Sequence, residues 1–205
     1  MKKIINAFSV PILEAVIHEA EVLNNSLNLK IQKLFDTIDD KRLLGHYWHS
    51  NILTDMASDT GYSSFNHGSL IDDENFNDLF TTISPIITDF FNQLNFNGTW
   101  NFSNAWANVY PYGSFVPHHN HGTAHWSGSY YVNAAENCGD LILTDPKEYA
   151  LNNEPPTTKW RGNISCPIGV LPGKLVIFPG YLKHETKPNL SSENRTIISF
   201  NIICQ

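Results

Sequence analysis

Residues 108–133 read NVYPYGSFVPHHNHGTAHWSGSYYVN. Four histidines, His118, His119, His121 and His125, fall within eight positions of this stretch. An aromatic, β-branched run then follows from Trp126 to Asn133, a composition that suits a pleated strand. Residues two apart on an extended chain share a face, so His119 and His121 can present both imidazoles to one point. Slipping the register by one would exchange His118 for His119. His125 reads as a neighbour of the site or as a structural residue.

A third ligand is expected from a distant strand. His184 is the candidate, because it follows the strand-like run Lys174–Phe178 and the turn at Pro179-Gly180. Three ligands on one face of an octahedron leave the opposite positions open, which is the arrangement of non-haem Fe(II) oxygenases. Arg195 lies eleven residues beyond His184 and opens another strand-like run, Thr196–Ile203. A guanidinium takes a carboxylate through two parallel hydrogen bonds. Arg195 is therefore placed to hold the far carboxylate of a keto acid chelating the iron. Asp140 and Asp145 read as turn-edge residues without the spacing to add a carboxylate ligand.

Moving outward, short aromatic and β-branched runs at 99–110, 126–134, 140–144, 174–179 and 195–203 are predicted strands. Turn signals at Pro111–Gly113, Glu136–Gly139, Pro172-Gly173 and Pro179-Gly180 separate them. The first half is different. Ile4–Leu13 reads as an extended entry. Leu13, Val16, Ile17, Ala20 and Leu23, then Leu27, Ile31, Leu34, Phe35 and Ile38, recur at helical spacing. A wide apolar stripe from Phe76 to Leu94 predicts a further helix, with Pro85 kinking it or dividing it in two. Between these helices, residues 46–74 carry His46, His49 and His67 among Tyr47, Trp48, Tyr62 and Phe65 without a clear period. That segment reads either as part of a substrate mouth or as a surface excursion. Helices followed by a run of strands predict an α+β fold, with a sandwich or barrel carrying the site.

The composition bounds the function. The 205 residues suit one domain, divided into a helical covering region over 1–97 and a strand-rich core over 98–205. The net charge is −7, and the 13 Lys and Arg are scattered, so no basic patch for a phosphate backbone is expected. A small molecule or a polypeptide is the expected substrate class, and the sequence leaves the oligomeric state open. Three widely separated cysteines, Cys138, Cys166 and Cys204, form no CxxC pair and read as free thiols of a reducing compartment. With no apolar run near membrane-spanning length, a cytoplasmic protein is expected.

Several of these segments together resemble the 2-oxoglutarate- and Fe(II)-dependent oxygenase superfamily, and within it a subgroup of small bacterial and phage members. The resemblance is carried by Trp106–Tyr110, Gly113, His119-Asn-His121, Ser127-Gly-Ser-Tyr-Tyr131-Val, Gly139–Pro146, Pro172–Pro179, His184 and Arg195–Asn201. It is strong over 100–203 and faint before. It implies a double-stranded β-helix, or jelly-roll, core with the N-terminal helices packed on its sheet. It implies Fe(II) held by His119, His184 and the residue ending an H-x-D/E motif, which here is His121 rather than a carboxylate. It also implies 2-oxoglutarate contacts from Tyr110, Tyr131 and Arg195. Where many relatives place Ser or Thr two residues after that Arg, this chain has Ile197, so that hydrogen bond is either absent or supplied by Ser199. The implied activity couples oxidative decarboxylation of 2-oxoglutarate to hydroxylation of a substrate. Two alternatives stay open: a metal-binding jelly-roll or cupin-like module without redox chemistry, and a three-histidine dioxygenase that takes no keto acid and leaves Arg195 for its substrate.

Overall fold

Strand β9, Arg195–Cys204, explains the layering. Ile198, Phe200 and Ile202 point to one hydrophobic cluster, while Ile197 points to another on the opposite side. Seven of its ten residues are buried, as expected for a strand covered on both faces. One cover is helical and the other is a second sheet.

The computed structural model describes residues 9–38, 61–147 and 165–205. In chain order these hold β1 (Leu13–Val16), α1 (Glu21–Asp36), β2 (Tyr62–Ser63), α2 (Asn77–Gln93), β3 (Trp100–Tyr110), β4 (Trp126–Asn133), β5 (Leu141–Thr144), β6 (Ser165–Ile168), β7 (Lys174–Pro179), β8 (His184–Thr186) and then β9. A six-stranded sheet runs β1-β7-β4-β9-β3-β2, and a three-stranded sheet runs β6-β5-β8. Their strand pairings are antiparallel. This is the jelly-roll core within an α+β chain, as expected.

The helices close the outer face of the larger sheet. Leu27, Ile31 and Phe35 of α1, and Leu79, Ile83, Ile87 and Phe91 of α2, join Ala105, Tyr130, Ile177 and Phe200 in one apolar cluster. The Tyr130 hydroxyl donates to Asn24 Oδ1 at 2.7 Å, which pins α1 to β4. Burial pushes the Tyr130 phenol up to about 12, so it stays a donor. β4 passes this layer at Gly128, where a Cβ would overlap the Phe200 ring.

Three readings change. Leu13–Val16 is a strand rather than the first turn of a helix. It pairs with β7 from Leu13↔Ile177 to Val16↔Lys174, and Glu14 meets Lys174 Nζ at 2.6 Å. Four residues are too few to separate a period of two from one of 3.6. Of the helical positions that follow, Leu23, Leu27, Ile31, Leu34 and Phe35 lie on one helix, α1. The helix α2 runs unbroken through Pro85, which is exposed on the solvent side, where water can satisfy the carbonyl left without an N–H donor. His46, His49, Tyr47 and Trp48, and the start of the expected entry strand, lie outside the described residues. No helix among the described residues is long and apolar enough to cross a membrane.

Candidate metal and cosubstrate site

The histidine stretch is held against β8 by backbone pairing. His119 N–H donates to His184 O at 2.9 Å, His184 N–H returns to His119 O at 2.8 Å, and Thr186 N–H reaches Val116 O at 3.0 Å. Residues 116–119 thus add an edge to the smaller sheet. His121 lies just past that edge rather than on a regular strand. Its N–H donates to Gly180 O at 2.9 Å, and Gly180 N–H donates to His125 O at 3.0 Å. The turn between His121 and His125 is therefore seated on the β7–β8 connection.

These anchors bring one ligand nitrogen from each of His119, His121 and His184 within 4.8 Å of one another. Each Nδ1 faces an oxygen: His119 faces Pro117 O at 2.8 Å, His184 faces Leu182 O at 2.9 Å, and His121 faces Asn201 Oδ1 at 2.7 Å. A carbonyl oxygen only accepts, so each ring carries its proton on Nδ1 and presents Nε2 as the ligand. The Nε2 atoms of His121 and His184 are 3.2 Å apart. Cis ligands about 2.1 Å from an octahedral ion lie roughly 3.0 Å apart, so two lone pairs at this spacing suit a shared cation. Burial, followed by the neighbouring His119, lowers the His121 pKa to about 4, and the same two causes hold His184 well below the ordinary histidine value. Both rings are neutral at pH 7, as metal ligation requires. The donor set fits a divalent first-row metal.

The other two histidines of the cluster turn elsewhere. His118 Nε2 meets Thr144 Oγ1 on β5 at 2.9 Å. His125 Nδ1 accepts from Cys204 N–H at 2.8 Å, which is a structural bond at the end of β9. Asp145 Oδ1 caps its own turn by accepting from Lys147 N–H.

Deeper between the sheets lies Arg195, with no exposed surface. Its Nη1 donates to Cys138 O, Gly139 O and Lys187 O at 2.6–3.1 Å, and its Nη2 to Thr186 Oγ1 at 2.9 Å. Its Nε finds no partner among the described residues, nor does any carboxylate pair with the guanidinium there. The Tyr110 ring stacks beneath it, 4.7 Å from its central carbon. Tyr110 and Tyr131 are fully buried, and burial raises both phenols far above their usual range although Arg195 opposes it. Thr186 is two residues from His184 on β8, so the guanidinium and a proposed ligand share one face of one strand. Ser199 lies on the same face of β9 as Arg195, and its Oγ accepts from the Asn108 amide at 3.2 Å.

Three participants were not assigned roles from the sequence. Asn201 orients His121, and it also accepts from Ser127 Oγ at 2.8 Å. Trp106 stacks on the His121 ring at 5.8 Å, and Phe65 meets Trp106 edge-on at 5.0 Å. Phe65 is 42% exposed, so the 61–74 segment contributes an aromatic wall beside the histidines. Thr186 completes the Arg195 contacts. A side chain's second partner carries no local signature, and only the aromatic content of the stretch pointed this way.

Three imidazoles thus converge at one level of the jelly roll, and at the next lies a buried guanidinium with no counter-ion among the described residues. The model of the putative 2OG-Fe(II) oxygenase family matches residues 104–201, just under half of the chain but the whole of this site. Over these residues the chain is similar to the 2-oxoglutarate- and Fe(II)-dependent oxygenases. Its fold is similar to that of a Pseudomonas putida prolyl-4-hydroxylase, with a TM-score of 0.63 and 12% identity over 94% of this chain and 93% of that one. It is also similar to the viral collagen prolyl hydroxylase of Paramecium Bursaria Chlorella virus-1 in its 2OG complex, with a TM-score of 0.57 and 14% identity over 93% and 94% of the chains. A third similar structure is the epimerase SnoN in complex with Fe3+, alpha ketoglutarate and nogalamycin RO, with a TM-score of 0.66 and 9% identity over 95% and 79%. No curated protein sequence matches the chain.

Proposed function

We propose that the enzyme hydroxylates a small-molecule or polypeptide substrate, with Fe(II) on His119, His121 and His184 and the far carboxylate of 2-oxoglutarate on Arg195. The observation that carries this reading is the Nε of Arg195, which has no partner among the described residues. Nε–H and one Nη2–H of a guanidinium point the same way and form its side-on fork. Nη1 is occupied by three carbonyls and Nη2 has one partner, so the fork is the edge available to a carboxylate. A buried cation is costly unless paired, and a dianionic cosubstrate would supply the missing charge.

When bound, iron and 2-oxoglutarate supply the activation of dioxygen and the oxidising equivalent for hydroxylation. The protein supplies position and exclusion of water. Tyr110 packs under the guanidinium and fixes its plane. Tyr131 lines the same chamber as a neutral donor. Ser199 and Asn108 offer the polar groups on the face where Ile197 offers none. His121, Trp106 and Phe65 form the mouth on the substrate side. The helices and the jelly roll work as one domain, since α1 and α2 cover the outer face of the sheet that carries Arg195.

Anaerobic titration of the protein with Fe(II) and then 2-oxoglutarate tests the reading. A visible charge-transfer band, followed by succinate on admitting oxygen, is the expected result. Tight zinc or nickel binding with no 2-oxoglutarate affinity would favour the module without redox chemistry. Turnover of a substrate without keto acid would favour the three-histidine dioxygenase.

A further inference from the structure

We infer that Asn201 is the positioning residue that lets a histidine stand where the superfamily's motif has a carboxylate. The inference rests on the iron-site reading above. His119 and His184 have their Nδ1 protons fixed by backbone carbonyls, which no side-chain substitution removes. His121 differs, because its Nδ1 is held by a side-chain oxygen, Asn201 Oδ1, at 2.7 Å. The same oxygen accepts from Ser127 Oγ at 2.8 Å. Ser127 and Asn201 face each other in the β4–β9 register, so the two strands jointly aim the amide oxygen at the ring. Ser127 is fully buried, and Trp106 and His184 stack on His121 with interplanar angles of 27° and 24°. The stacking limits tilt, and the hydrogen bond sets rotation and tautomer. Without the acceptor, His121 is free to carry its proton on Nε2, and that tautomer cannot ligate through Nε2, the nitrogen that faces His184.

The arrangement also bears on charge. Three neutral imidazoles leave a divalent ion with its full charge, where two imidazoles and a carboxylate would reduce it by one. An amide oxygen is the neutral acceptor at this position, and a carboxylate there would form the stronger, charge-assisted bond to the imidazole. Asn201 is isosteric with aspartate. Its place between His121 Nδ1 and Ser127 Oγ offers two donors to either side chain.

Co(II) binding to the full-length protein, followed by its d–d absorption and by competition with a chelator, separates the possibilities without turnover. Asn201→Leu is expected to weaken Co(II) binding roughly 10- to 100-fold. Asn201→Asp should bind at least as tightly as the parent, and Ser127→Ala should fall between the parent and Asn201→Leu. Long-range ¹H–¹⁵N spectra of the metal-free protein should show His121 as the Nδ1–H tautomer in the parent and as a mixture, or Nε2–H, in Asn201→Leu, with His119 and His184 unchanged. The last observation guards against a misfolded variant. Parent-like Co(II) affinity and an unchanged His121 tautomer in Asn201→Leu would overturn the inference. If the parent binds Co(II) but never binds 2-oxoglutarate, the oxygenase reading fails while this one stands. If succinate forms and Asn201→Leu matches the parent in both measurements, this one fails alone.

Discussion

Single side chains set the chemistry of this site through burial. In the metal-free protein His121 resists protonation until about pH 4, while an unfolded histidine takes its proton near 6.5. Between these values the unfolded chain binds more protons than the folded one. The stability from the neutral ring is therefore complete above about pH 6.5 and is lost as pH falls toward 4, at about 1.4 kcal/mol per unit. His184 shifts in the same direction and adds to the loss. Urea midpoints of metal-free protein should fall steadily from pH 7 to pH 5, and a flat profile would contradict the burial argument. Arg195 gives a second prediction. Arg195→Lys keeps a cation but loses the fork. 2-Oxoglutarate affinity should drop by about 1.5–3 kcal/mol, roughly 10- to 150-fold, with Co(II) affinity unchanged. Equal loss of both would mean that Arg195 supports the metal rather than the keto acid. The residues behind these predictions differ in how visible they were beforehand. A two-residue spacing and a distal partner made the three histidines legible, since ligation demands a residue type. Asn201 sits 80 positions from His121, and an amide that fixes a tautomer looks like any other strand asparagine.

At the level of elements, the site depends on how closely the His121–His125 turn approaches the end of β7. Gly180 makes that approach possible, because a Cβ there would overlap the backbone oxygen of Ala124. Gly180→Ala must push the turn away and break the bonds from His121 N–H to Gly180 O and from Gly180 N–H to His125 O. Overpacking of this kind costs about 1–3 kcal/mol. The more telling result is a loss of metal affinity of roughly tenfold or more, because His121 moves relative to His184. A variant that is merely less stable, with parent-like Co(II) binding, would show that the turn does not position His121. The long strands around this turn were readable from composition: β3, β4, β5, β7 and β9 fall within a residue or so of the predicted runs. The short ones were not. β6 is Ser-Cys-Pro-Ile, and its Pro167 argues against a strand until β6 proves to be an edge, where a missing N–H is tolerated. β8 has three residues and β2 has two, too few for alternation to register. These strands are specified by the partners they pair with, which a local pattern does not show.

Across the whole molecule, the proposed ligands span the seam between the two sheets. His184 belongs to the smaller sheet, which His119 extends, whereas His121 is held by Asn201 of β9 in the larger one. Arg195 makes the same crossing, from β9 to Thr186 of β8. Metal and keto acid should thus act as cross-links that exist only in the folded state. A ligand at 100 times its Kd stabilises by about 2.7 kcal/mol. At about 2–4 °C per kcal/mol for a chain of this size, that is roughly 5–11 °C in Tm. Under anaerobic conditions Fe(II) should give a shift of this order at that saturation. 2-Oxoglutarate should add a further shift only when iron is present, since chelation and the Arg195 fork together hold it. Arg195→Lys should keep the first shift and lose most of the second, while Asn201→Leu should diminish the first. A shift from 2-oxoglutarate alone, equal with and without metal, would mean that the guanidinium binds it independently of the histidines. The chamber between the sheets would then be two sites rather than one.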